Sequence, residues 1–373
     1  MNLLFTLIII ASLSNSFVKA TKNKYRSKRA VLFNVVPDWK FPINYSIHSQ
    51  LDATPITEAI AEIESQSCVN FSKVDSTEGS GIEFVTSNHC YVSIPKTNAT
   101  TLRLIGLNSN CVSKGVVMRE VLKALGLINE ENRPDRNNYV EIRKNNIKES
   151  LRNGFTERTS SEVNITGLRY DPGSLMHHGR YFASSNGKMT IVTKNANYLT
   201  TIGQTSEIGF NDMKSLNGKY CSTTCTNQLN CYHYGYPDPK NCTICRCPRF
   251  YTGSLCRQLE SSPSSCGTTD YTATTTEQSV RVEGIKSCLY RFAAATAGKK
   301  VYIKIVRANL PVRTICPPGV GIEVKFLLDK SVSGATLCGS RASMKLKSVG
   351  RSLALKYNGL TASNHATISY KEV

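Results

Sequence analysis

The apolar positions change their period along the chain, and the changes divide it into blocks. Between residues 30 and 221 the pattern is mixed. Runs such as "FPINYSIHS" (41–49) and "YVSIPK" (91–96) predict strands, and residues 115–128 carry apolar side chains at helical spacing. Residues 222–257 have almost no apolar periodicity and are dense in cysteine, glycine and proline. A Ser/Pro stretch, "LESSPSSCG" (259–267), leads into short alternating runs, "KKVYIKIVRA" (299–308), "GIEVKFLLD" (321–329) and "SMKLKSV" (343–349), which predict a β-sandwich over 266–373. No internal repeat is present.

The first residues follow a different pattern. "LLFTLIIIASL" (3–13) has the length of a signal-peptide core, and Val18-Lys19-Ala20 supplies small residues for cleavage, so residues 1–20 are expected to be removed on secretion. The run is too short to span a bilayer, which takes roughly 20 apolar residues. Arg26-Ser27-Lys28-Arg29 then resembles a basic processing site, making 21–29 a short propeptide and Ala30 the mature N-terminus. Sequons at Asn44, Asn70, Asn98, Asn164 and Asn241 fit a glycosylated extracellular protein.

Composition sharpens this. Fourteen cysteines predict a disulfide framework in an oxidising compartment. Six of them, Cys225, Cys231, Cys242, Cys245, Cys247 and Cys256, fall within 32 residues, a segment too small for an apolar core of its own. The formal net charge is +19, yet residues 266–373 alone hold 16 Lys or Arg against 6 Asp or Glu. Basicity is therefore concentrated at the C-terminal end, where lysines alternate with apolar residues. Such a sheet is expected to present a cationic face to sulfated glycans or acidic matrix components; a secreted chain does not meet nucleic acid.

The candidate chemistry lies in "REVLKALGLINE" (119–130). Its frame follows H-E-x-x-H-x-x-G-x-x-H, in which two histidines one helical turn apart and a third beyond a glycine turn hold zinc, and the glutamate acts as general base. Glu120 and Gly126 are in place, but the ligand positions hold Arg119, Lys123 and Asn129. The continuation "NEENRPDRNNYV" (129–140), the "SLMHH" run (174–178) and "IGFNDMKSLNGKYC" (208–221) resemble the extended zinc motif, the Met-turn and the closing helix of the astacin family. In that family the Met-turn places a tyrosine where this chain has His178. "NCTICRCPRFYTGSLC" (241–256) resembles the tail of an EGF-like domain, and the cysteine pairs after it resemble those of a CUB domain without its acidic calcium ligands.

The resemblance implies an α+β metzincin-type astacin domain (30–221), an EGF-like domain (222–257), a linker (258–265) and an all-β CUB sandwich (266–373), in the arrangement of nematode astacins. It also implies bridges Cys68–Cys221, Cys90–Cys111, Cys247–Cys256, Cys266–Cys288 and Cys316–Cys338. Pairing among Cys225, Cys231, Cys242 and Cys245 stays open. It implies a Met-turn at Met176 and an ion pair between the Ala30 ammonium and Glu130. Residues 21–29 lack the aspartate with which astacin prosegments block zinc.

Ammonium and guanidinium groups donate hydrogen bonds and accept none, so they repel a metal rather than bind it. No zinc or other cofactor is therefore expected, and Glu120 keeps the general-base position without an activated water. The expectation is a secreted astacin homologue that is not an enzyme and works by binding extracellular proteins or matrix. A local Glu120–Lys123 pair would leave Arg119, with His178, to meet an acidic ligand. The rival reading is an active metalloendopeptidase holding metal through Glu120, His177 and His178.

Overall fold

The computed structural model describes residues 31–32, 39–93, 102–109, 111–165, 167–227, 229–341 and 344–373. The processing site, Ala30 and the Asn98 sequon lie outside these.

The N-terminal part is built on a five-stranded sheet in the order Phe71–Lys73, Ile43–Ile47, Gly81–Thr86, Leu102–Leu107, Tyr91–Val92. All neighbours are parallel except the last, short edge strand, which pairs antiparallel with Leu102–Leu107. Helix α1 (Thr54–Gln66) buries Ile56, Ala59, Ile60 and Ile63, one stripe at helical spacing. Helix α2 (Lys114–Ala124) packs against α1 and joins the same core through Val117, Val121 and Leu122. The sequence period ran on to residue 128. The structure ends the helix at Ala124 because Gly126 takes φ +98°, a left-handed conformation that costs glycine little.

Beyond α2 the chain is mostly short 3-10 turns, closing with helix α3 (Phe210–Tyr220). Cys221 at the end of α3 is bonded to Cys68 beside α1, and Cys90 to Cys111. The cysteine-rich segment forms two small hairpins stapled by Cys225–Cys242, Cys231–Cys245 and Cys247–Cys256, which resolves the pairing the sequence left open. The C-terminal part is a sandwich of two five-stranded sheets with a shared core that includes Phe292, Ile303, Ile322, Leu355 and Ile368. Cys266–Cys288 and Cys316–Cys338 are bonded within it.

The three parts meet over a polar seam with defined partners. Tyr198 belongs to the sandwich core and packs on Phe326. Thr336 N donates to Thr201 Oγ1 at 2.9 Å, and Ser333 N to the buried Asp171 Oδ1 at 3.1 Å. Arg249 of the cysteine-rich module forks between the others, with its Nη1 2.9 Å from Glu207 and its Nη2 2.9 Å from Glu323. Glu323 is 2 % exposed. Burial pushes its carboxyl up, but Arg249 and Lys325 outweigh that and hold it below its ordinary value. Removing the guanidinium strands a buried charge. Arg249→Met is therefore expected to cost about 3 kcal/mol in urea unfolding and to speed proteolysis at residues 258–265, whereas additivity with Glu323→Gln would show that the pair is not coupled.

Candidate functional site

Arg119 and Lys123 sit on one face of α2 because they are four residues apart. Their like charges are separated by different partners. Lys123 Nζ lies 2.9 and 3.3 Å from the two carboxylate oxygens of Glu120. Arg119 turns away from solvent instead: Nε donates to Leu175 O at 2.7 Å, and Nη2 reaches His177 O and Gln204 O, each at 3.5 Å. Burial lowers its pKa, and the nearby carboxylates of Glu131, Glu120 and Asp212 oppose that. The guanidinium thus ties α2 to the Met176 turn and to the loop at Gln204. Gly115 permits that approach, since a Cβ there would stand 1.7 Å from Thr205 O.

This placement corrects the expectation that Arg119 is free to meet an acidic ligand. At 7 % exposure its hydrogen bonds go to backbone carbonyls of its own chain.

The Met-turn lies directly beneath. Met176 is buried, and Glu130 N donates to Met176 O at 3.1 Å. His178 is stacked on Phe182 with ring centroids 3.6 Å apart, and its Nδ1 and backbone N–H both meet the Glu131 carboxylate. Burial lowers the His178 pKa to about 4 against the pull of Glu131, so the ring is neutral and donates from Nδ1. Burial pushes Glu131 up, yet the charge His178 carries when protonated, its hydrogen bond and the charge of a protonated His177 bring the carboxyl down to about 2. His177 is fully buried, with Nε2 2.7 Å from Tyr170 Oη and Nδ1 2.7 Å from His178 O.

Both ring nitrogens of His177 are thus engaged in hydrogen bonds within the chain. Sequence reading missed Glu131, Tyr170 and Phe182 in this network. The doubled glutamate at 130–131 was the available signal for the first; nothing local marks the other two.

The donor set does not fit a zinc ion at the family's positions. Two of the three are cations, Lys123 neutralises Glu120, and Asn129 offers one buried amide oxygen without a hydrogen-bond partner. Among the described residues no group of three or more His, Cys, Asp or Glu is arranged to hold a metal.

Glu130 faces a small cavity lined by Leu127, Arg133, Asp171, Met176 and Asp212. Its Oε1 accepts from Asp171 N at 2.7 Å and Arg133 Nη1 at 3.1 Å. Burial nevertheless pushes its pKa up to about 8. Its expected partner, the Ala30 ammonium, lies outside the described residues, although Val31–Leu32 pairs with Val163–Asn164. Of the sequons, Asn44, Asn70 and Asn241 are exposed and Asn164 is half-buried.

Residues 33–221 match the profile of the peptidase family described as Astacin. The chain belongs to the astacin family. It is 32 % identical over 355 residues to zinc metalloproteinase nas-34 of Caenorhabditis elegans, covering 94 % of this chain and 57 % of that protein. It is 34 % identical over 223 residues to zinc metalloproteinase dpy-31 of Haemonchus contortus, covering 58 % and 41 %. The chain spans about half the length of the curated relatives it matches. Among solved structures, high choriolytic enzyme 1 of medaka aligns with TM-score 0.43 at 26 % identity, over 48 % of this chain and 88 % of that one. The CUB1-EGF-CUB2 domain of human MASP-1/3 aligns with TM-score 0.25 at 16 % identity, over 41 % and 56 %. The fold is accordingly an astacin domain followed by a small disulfide-rich module of two hairpins and an all-β sandwich of two five-stranded sheets.

These findings correct the expectation that the chain is not an enzyme. The matched family is a peptidase family, and the relatives are named zinc metalloproteinases. That expectation rested on the side chains at the three ligand positions and on a prosegment without an aspartate; the likeness to nas-34 extends over 94 % of this chain.

Two outcomes follow from the site. Arg119→Ala leaves three carbonyls and the Glu131 and Asp212 charges without their cation, and is expected to cost on the order of 3 kcal/mol in chemical unfolding. Arg119→Lys should recover only part of it, having no planar fork; full stability in either variant would show that the tie is idle. The second concerns pH. Because Glu130 binds its proton more tightly folded than unfolded, its contribution to stability falls as pH rises from about 4.5 to about 8. In the full-length chain Glu130→Gln should gain stability relative to wild type over that window, and equal slopes in thermal unfolding would refute the assignment.

Proposed function

We propose that this astacin-family chain is extracellular and works by engaging extracellular proteins, its astacin cleft and C-terminal modules acting as recognition surfaces. The observation that carries the reading is the Arg119 tie. The helix, the Met-turn and the Glu131–His178 pair are held together by buried hydrogen bonds, and a side chain of the protein itself does the cross-linking there. Seven disulfides favour an oxidising compartment, and no helix among the described residues is long and apolar enough to cross a membrane.

Peptide hydrolysis is the second reading, favoured by the names of the relatives. It requires a metal held by donors other than the side chains at 119, 123 and 129. We propose that no zinc is held at those three positions.

One preparation beginning at Ala30 tests both. Under the binding reading, fluorescein-labelled denatured casein binds saturably, zinc is substoichiometric by elemental analysis, and a chelator leaves the Tm unchanged. Stoichiometric zinc with chelator-sensitive cleavage of the casein would establish hydrolysis, and absence of any saturable binding would sink the recognition reading.

A further inference from the structure

The second sheet of the C-terminal sandwich pairs Gln278–Glu283, His365–Glu372 and Val301–Asn309, with Met344–Lys347 on the outer side of Val301–Asn309. Its inner face is apolar: Ile303, Ile305, Leu346 and Ile368 are buried. The pleat sends the intervening residues outward, and register decides which of them meet. Tyr302 lies directly between Lys347 on one neighbouring strand and Lys371 on the other. One row along, Lys304 lies between Lys345 and Ser369. Arg307 follows beyond a bulge, opposite Thr367, and Lys299 and Lys300 are exposed just before the strand.

Directly opposed side chains stand roughly 5 Å apart at Cβ, and successive outward rows about 7 Å. Lys304 and Lys345 are thus a like-charge cross-strand pair, an arrangement that weakens a sheet. Among the described residues, Lys304, Lys345, Lys347, Lys371 and Arg307 make no ion pair. Nearby acids are spoken for: Glu283 is 2.8 Å from Arg281, and Glu372 accepts from Thr296. Folding therefore gains nothing from concentrating these cations here.

We propose that this face docks a sulfated glycan chain. The proposal adds a ligand class for the C-terminal recognition surface proposed above and rests on the chain being extracellular. Charge complementarity selects the occupant. The ammonium groups are mobile point charges, suited to a series of strong anions without fixed geometry. A protein partner needs an apolar or aromatic anchor at the centre of its contact, and the face offers only Tyr302 and, at the bulge, Val306.

The test uses the full chain on immobilised heparin, with N- and O-desulfated heparin and polyglutamate as competitors. Wild type is expected to be retained at about 0.15 M salt and eluted by salt well above it. Lys304→Gln/Lys345→Gln/Lys347→Gln/Lys371→Gln should bind roughly tenfold more weakly or less, with Tm unchanged or raised because the like-charge rows are relieved. Lys304→Gln/Lys345→Gln alone should fall between. A control of equal charge, Lys73→Gln/Lys144→Gln/Lys148→Gln/Lys188→Gln, should bind as wild type does. Flow-through of wild type, an equal loss in the control, or equal competition by desulfated heparin or polyglutamate would overturn the proposal. Casein binding in the cleft is read separately: its loss with heparin retention intact removes the cleft reading and leaves this one standing.

Discussion

A guanidinium taken out of water has to find acceptors, and Arg119 finds them on two other segments of the chain. That requirement shapes the centre of the N-terminal domain. It holds α2 against the Met-turn and the Gln204 loop, it needs Gly115 for the close approach, and it places a positive charge among Glu120, Glu131 and Asp212. The Arg119 guanidinium is thus a cation, covalently part of the protein, that cross-links these segments. Because its hydrogen bonds end on backbone carbonyls, the conformation of the Met-turn is tied to the side chain at 119 rather than to the solvent.

The same economy of buried charge governs the seam between modules. Glu323 is buried in the sandwich and would be destabilising alone; Arg249 from the cysteine-rich module and Lys325 beside it make it tolerable. Arg249 also meets Glu207 on the astacin domain, so one side chain connects all three parts. Asp171, near the Met-turn, accepts from Ser333 of the sandwich. The segment leading into the Met-turn and the sandwich are therefore joined by a direct hydrogen bond. On the other sheet of the sandwich Lys304, Lys345, Lys347, Lys371 and Arg307 make no ion pair among the described residues. The protein thus neutralises Glu323 where it is buried and accumulates positive charge on the outward rows of a sheet.

The block structure, the α+β and all-β classes and the helix bearing Glu120 were legible in the sequence, because periodicity, cysteine density and motif spacing are local properties. The proximity of Lys123 to Glu120 was legible for the same reason, a three-residue separation on a helix. The direction taken by Arg119 was not. Sequence spacing puts it on the cleft face, but its acceptors lie 56 to 85 residues further along the chain.

By itself, then, the sequence determined which residue types stand at the zinc positions and where the basic residues concentrate. The tertiary structure decided what those charges do. It buried one cation against carbonyls, closed another on a carboxylate, and left Lys304, Lys345, Lys347, Lys371 and Arg307 without ion-pair partners among the described residues. The reason is that desolvation and long-range hydrogen bonding depend on which distant segments arrive beside a side chain, and no local pattern encodes that arrival.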